Sequence, residues 1–197
     1  MYMKSLVSLA VLGAMSAVAT AGDHVVFDKP NESYTVDGLS IFGATINASD
    51  ITITNTAPAS NGITAYGDFK LNAANDISIQ GTQNGIFTPD DHANPSITIK
   101  TPKKLTITGP WAIHAEGEGT ITIDAGDLVL RGSNGIAANS TGAVSIDAQT
   151  VDIASTNKYG VSSTNTGGVT IKAKSPSTSR AAVQTPSTAC RAPSHLT

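Results

Sequence analysis

Along most of this chain, aliphatic residues come in pairs separated by one residue that is usually polar. Ile51-Thr52-Ile53, Phe69-Lys70-Leu71, Ile77-Ser78-Ile79, Ile97-Thr98-Ile99 and Leu105-Thr106-Ile107 are the first examples. Ile121-Thr122-Ile123, Leu128-Val129-Leu130, Val144-Ser145-Ile146, Val151-Asp152-Ile153 and Val169-Thr170-Ile171 continue the pattern. A period of two is that of a strand with one face buried and the other wet. On a helix the outer members would point about 200° apart and form no apolar stripe.

The triplets belong to a longer phrase. A small residue followed by an aliphatic one opens each phrase: Gly38-Leu39, Gly62-Ile63, Gly85-Ile86, Ala112-Ile113, Gly135-Ile136 and Gly160-Val161. Successive openings lie 24, 23, 27, 23 and 25 residues apart. Self-similarity at such a period is the mark of a stacked repeat. The pattern predicts an all-β, right-handed parallel β-helix of about five to six coils, with three short strands per coil. A β-sandwich is the rival, since it too uses short, regularly spaced strands. The β-helix is preferred because the whole three-strand phrase recurs with branched residues in the same places. No single coil can bury its own aliphatic residues, so stability is expected to lie in the contacts between coils.

Corners and ends follow from the same reading. Asn61-Gly62, Asn84-Gly85 and Asn134-Gly135 suit sharp corners, because Asn and Gly tolerate φ > 0. Asparagines at equivalent corners can also stack as an amide ladder. Gly109-Pro110-Trp111 marks a bend and holds the chain's single Trp. Residues 22–37 are expected to cap the first coil, and repeats to run over 38–174. At the far end an open coil would expose an apolar cross-section and unpaired strand edges, a setting for end-to-end self-association.

The two termini do not follow the repeat. Residues 1–21 read as a secretory signal peptide: Lys4, an apolar run from Leu6 to Val18, then Ala19-Thr20-Ala21 with cleavage before Gly22. The apolar run is shorter than the roughly 20 residues of a spanning helix. No membrane span is therefore expected once the signal is removed. Residues 175–197 contain no Gly, no Ile and no such triplet, but hold three Pro and the only Cys, Cys190. Two readings fit: a disordered Ser/Thr/Pro/Ala linker, or an out-of-frame end that makes this chain the front piece of a longer repeat protein. In the second case a non-functional truncated gene product is a further alternative.

Composition narrows the function classes. With 14% charged residues and a net charge of −3, the chain lacks the concentrated basic face that nucleic acids require. The repeat region has no cysteine, so disulfides cannot stabilise it.

The signal peptide, the degenerate coils, and phrases such as Gly119-Thr120-Ile121-Thr122-Ile123-Asp124-Ala125 and Gly142-Ala143-Val144-Ser145-Ile146-Asp147-Ala148 resemble a bacterial autotransporter passenger domain. The resemblance covers about residues 38–174, and other β-helical adhesins share its grammar. It implies export, then display or release at the outer membrane of a diderm bacterium, as a secreted or cell-surface protein. Its expected partners are host surface glycans or proteins. The family's C-terminal membrane barrel, built from many amphipathic strands of about 10 residues, is not in this sequence.

Enzyme chemistry is the competing class, because β-helices also carry polysaccharide lyases and glycoside hydrolases. The loop with Asp90, Asp91 and His92, which lengthens one coil, could do acid–base work or bind a cation. The plainer reading is a solvated turn of ordinary turn residues. Trp111, His114 and Glu116 form a second candidate, where an aromatic ring beside a carboxylate could hold a sugar. The plainer reading there is a strand end followed by a polar turn. The chain has no Gly-His-Gly or Arg-x-Lys phrase of pectin-cleaving enzymes, no Walker loop and no dinucleotide fingerprint. The four His are scattered, which does not suit a metal site. The expectation is thus a non-enzymatic adhesive or structural module without cofactor, metal or catalytic residues. A fragment of a carbohydrate-active enzyme is the alternative.

Overall fold

The computed structural model describes residues 24–90, 94–138, 142–156, 160–163 and 168–175. The segment read as a signal peptide and the tail beyond Ser175 lie outside them. Strands β1 (His24–Lys29), β2 (Tyr34–Val36) and β3 (Leu39–Ile41) trace one coil. Strands β4 (Gly43–Ala48), β5 (Ile51–Thr54) and β6 (Asn61–Ala65) trace the next, followed by β7 (Phe69–Ala73), β8 (Ile77–Gln80) and β9 (Asn84–Thr88). In the later coils the first two strands merge, giving β10 (Ser96–Thr108) with β11 (Trp111–Ala115), and β12 (Thr120–Gly132) with β13 (Asn134–Ala138). Then come β14 (Val144–Ser155) with β15 (Val161–Ser163), and finally β16 (Val169–Ala173).

All pairings among these strands are parallel, and each strand pairs with its counterpart one coil away. The chain is therefore a β-solenoid, as its repeat predicts, and not a sandwich. One sheet holds β3, β6, β9, β11, β13 and β15, and the other strands form a second, bent sheet.

Register turns the sequence repeat into a core. Phe27, Ile46, Leu71, Ile99, Ile123, Ile146 and Ile171 stack in one column. Val36, Ile53, Ile79, Ile107, Leu130 and Ile153 stack in another. A third runs through Leu39, Ile63, Ile86, Ile113, Ile136 and Val161. Most of these side chains are wholly buried. A branched side chain over a like side chain fills each layer while every backbone group keeps its partner in the next coil.

The merging of strands in β10, β12 and β14 has a local cause. Thr101, Ala125 and Ala148 meet in register at the bend, and small residues there let the strand turn without leaving the ladder. Between Thr101 and Lys104 the register shifts, because β10 carries one residue more than β12 at that corner. Corner carboxylates tie neighbouring coils together: Ser96 N–H donates to Asp68 Oδ1 at 2.9 Å, and Lys104 N–H to Asp76 Oδ1 at 3.1 Å.

The stretch read as a cap, residues 22–37, carries β1 and β2, which stack on β4 and β5 in the register used elsewhere. The left-handed backbone expected at Gly62, Gly85 and Gly135 is not there; among the described glycines only Gly38 has positive φ, at 71°. Close approach selects glycine instead. A Cβ on Gly85 would fall 2.4 Å from Ile107 Cγ2 and 2.6 Å from the Ala112 carbonyl oxygen.

Candidate functional site

The sheet formed by β3, β6, β9, β11, β13 and β15 turns Ile86, Ile113 and Ile136 inward. The next residue on each strand therefore faces outward, which places Phe87, His114 and Ala137 side by side. The His114 ring stacks on Trp111 with centroids 5.0 Å apart and planes inclined by 20°. Phe87 leans against the same imidazole at 5.5 Å and 47°. Nε2 of His114 lies 3.2 Å from Oε1 of Glu116. Sequence reasoning brought Trp111, His114 and Glu116 together, and the structure joins all three.

Electrostatics at this cluster follows from its packing. The His114 side chain is 15% exposed and that of Glu116 39%. Loss of water lowers the imidazole pKa, the nearby Glu116 carboxylate raises it, and the desolvation prevails so that the net shift is downward. A neutral ring facing a carboxylate at this distance carries its proton on Nε2 and donates it.

Asp90 lies beside this cluster. It follows β9 as an exposed residue next to the buried Pro89. Glu116 N–H and Gly117 N–H both donate to the Thr88 carbonyl, at 2.9 and 3.2 Å. A Cβ on Gly117 would lie 2.5 Å from the Pro89 oxygen and 3.6 Å from the Asp90 Cα. The turn that carries Asp90 thus stacks on the turn that carries Glu116, at one edge of the sheet. Asp91 and His92 lie outside the described residues. Among the described residues no three His, Cys, Asp or Glu gather as a possible metal site.

Three aromatic residues escaped the sequence reading. Phe87 is the first, at an outward position in β9. Phe42 and Tyr66 are the others, at the corners that follow β3 and β6, with centroids 6.0 Å apart. Phe42 is 48% exposed. The signal was available for Phe87, because period-two alternation from the inward Ile86 turns the next residue outward. A large apolar residue in such a slot is out of place for a solvated face.

Comparison with protein-family models, curated proteins and solved structures finds no match to this chain. Among the described residues no helix is long and apolar enough to cross a membrane.

Proposed function

We propose that this chain is an exported β-helical module with an adhesive or structural role, of the kind found in autotransporter passengers, working at the surface of a diderm bacterium or after secretion. The observation that carries the reading is the division of labour in each coil. Inward columns are almost wholly aliphatic and sustain the rod, while the outward column of the larger sheet is mostly polar (Thr45, Lys70, Thr98, Thr122, Ser145 and Thr170) and that of the smaller sheet changes in kind from Ser40 and Thr64 to Phe87 and His114. Such a scaffold offers long, nearly flat faces for contact with extended partners. The sequence of residues 1–21 supports export, and the phrases around Ile121 and Val144 support the passenger likeness.

The test is expression of the full chain in a diderm host, followed by fractionation and N-terminal sequencing. A mature product starting at Gly22, outside the cytoplasm, is the expected result. An uncleaved product retained in the cytoplasm would overturn the reading.

One observation keeps a second reading in play. Asp90 and Glu116 occupy stacked turns, and paired carboxylates at one edge are what glycoside hydrolysis uses. Release of reducing ends from polysaccharide by the purified chain, abolished by Asp90→Asn or Glu116→Gln, would favour the enzyme.

A further inference from the structure

The described residues segregate by chemistry around the rod. Phe42, Tyr66, Phe87 and Trp111 all lie on the outer side of one sheet, the one that holds β3, β6, β9, β11, β13 and β15, or at the corner that follows it. The remaining described aromatic residues, Phe27, Tyr34 and Phe69, belong to the core or pack against it. Cations show the opposite preference. None of these six strands contains Lys or Arg. Lys29, Lys70, Lys100, Lys103, Lys104, Arg131 and Lys172 all sit on strands of the other sheet, and Lys174 directly follows one. Acidic residues flank the aromatic band: Asp68 follows Tyr66 at its corner, and Asp90, Glu116 and Glu118 follow β9 and β11 beside His114.

We propose that this face is a binding surface for an uncharged glycan chain laid across the coils. The inference rests on the reading of the protein as a binding module and names the class of ligand. Aromatic rings offer flat apolar surfaces for the C–H faces of pyranose rings, and carboxylates accept from their hydroxyls. Phe42, Tyr66, Phe87 and Trp111 come from successive coils about 4.8 Å apart along the rod, and they also step across the sheet, Trp111 standing three residues before the slot of Phe87 and Phe87 two residues before that of Tyr66. A polysaccharide laid obliquely over the coils can follow such a diagonal band. The acidic edge repels anionic glycans and sulfated chains, and no Lys or Arg on these six strands offers them a partner. The inner strands of this sheet are paired on both sides, so an extended peptide has no free backbone edge to join there.

The experiment is titration of the full mature chain with a fixed panel of probes by calorimetry. Cello-, manno- and chito-oligosaccharides and a β-1,3-glucan oligosaccharide represent uncharged glycans; oligogalacturonate and heparin oligosaccharides represent anionic ones; oligolysine represents a cationic peptide. Binding of at least one uncharged glycan is expected. Its affinity should fall at least tenfold in Trp111→Ala and in Phe42→Ala, and stay unchanged in Thr122→Ala on the other sheet. Phe42 is half exposed, so its replacement leaves the fold intact even if Trp111→Ala destabilises it; unfolding midpoints check both. Preference for the anionic probes or oligolysine, binding indifferent to Phe42→Ala and Trp111→Ala, or no binding to any uncharged glycan would each overturn the proposal. Cleavage and export before Gly22 are scored separately, so a chain that is exported but binds no glycan sinks this inference and leaves the module reading standing.

Discussion

Trp111 stands in register on Asn84, in the slot where an asparagine would continue a ladder. Asn84 Nδ2 donates to Asn61 Oδ1 at 2.7 Å, and Asn61 Nδ2 donates to Thr64 Oγ1 at 2.9 Å. On its other side Asn84 stands in register with Trp111, and its Oδ1 is buried without a partner among the described residues. The amide ladder thus runs for one step and is interrupted by the aromatic residue that builds the candidate site. A buried acceptor left unpaired costs about 1–3 kcal/mol, which is a local cost in stability at a place where Trp111 is exchanged for regular packing.

That geometry makes Asn61→Ala a sharp test of the ladder. Asn84 is only 3% exposed, so removing Asn61 strands its Nδ2 as well as its Oδ1. A loss of about 1–3 kcal/mol is expected in urea unfolding. Asn75, an exposed corner residue whose amide donates to Asp50 at 3.3 Å, is the comparison. Asn75→Ala should cost well under half as much, and equal losses would show that the ladder carries no special weight.

A second unpaired group points the other way. Thr88 is 0% exposed, its Oγ1 has no partner among the described residues, and it lies in register with Ala115 in the inward column. Thr88→Val keeps the shape and removes the buried hydroxyl. It should raise stability by about 1 kcal/mol, seen as a higher urea midpoint with an unchanged slope. A lower midpoint would mean that the hydroxyl is satisfied in solution.

The architecture was legible because one physical rule repeats in every coil. Ile121, Ile123, Leu128 and Leu130 are aliphatic for the same reason as Ile97, Ile99, Leu105 and Ile107, and the repeat averages out the ambiguity of any single triplet. The corners were less legible. Asn-Gly pairs suggest left-handed backbone from local propensity, whereas Gly85 answers to Ile107 and Ala112 of the neighbouring coil, a contact that sequence distance hides. The site was legible in part. Trp111, His114 and Glu116 are close in the chain and were found together. Phe87 and the stacking of the Asp90 turn on the Glu116 turn arise only when coils are laid on one another.

The solenoid also predicts where the same substitution should matter most. Ile123 is 1% exposed in the middle of its column, with Ile99 and Ile146 on either side. Ile171 belongs to β16, pairs with Ile146 alone among the described residues, and is half-buried. Ile123→Ala should cost about 2–5 kcal/mol, and Ile171→Ala about 1 kcal/mol, by urea denaturation of the full chain. Equal costs would mean that β16 is covered in solution by something that completes its coil.

His114 gives the rod a pH dependence of known sign. In the unfolded chain the imidazole takes its proton near the ordinary pKa of about 6.5. In the fold its pKa is lowered, chiefly by burial against Trp111 and Phe87, with Glu116 opposing. Between the two values the unfolded chain binds the extra proton, so folding is opposed there. The contribution of His114 is complete above about pH 6.5, declines as pH falls, and levels off below the folded value. Wild type is compared with His114→Phe across pH 4.5 to 7.5 (chosen to bracket about one unit and more around the ordinary value). The stability difference between the two chains should shift in favour of His114→Phe as pH falls through 6.5. Proton NMR adds an independent check: the ring signal lost in His114→Phe should titrate below the ordinary value, and lower still in Glu116→Gln, where the carboxylate that favours protonation is gone. A ring that titrates above the ordinary value would mean that the ion pair with Glu116 outweighs burial, and the slope would then reverse.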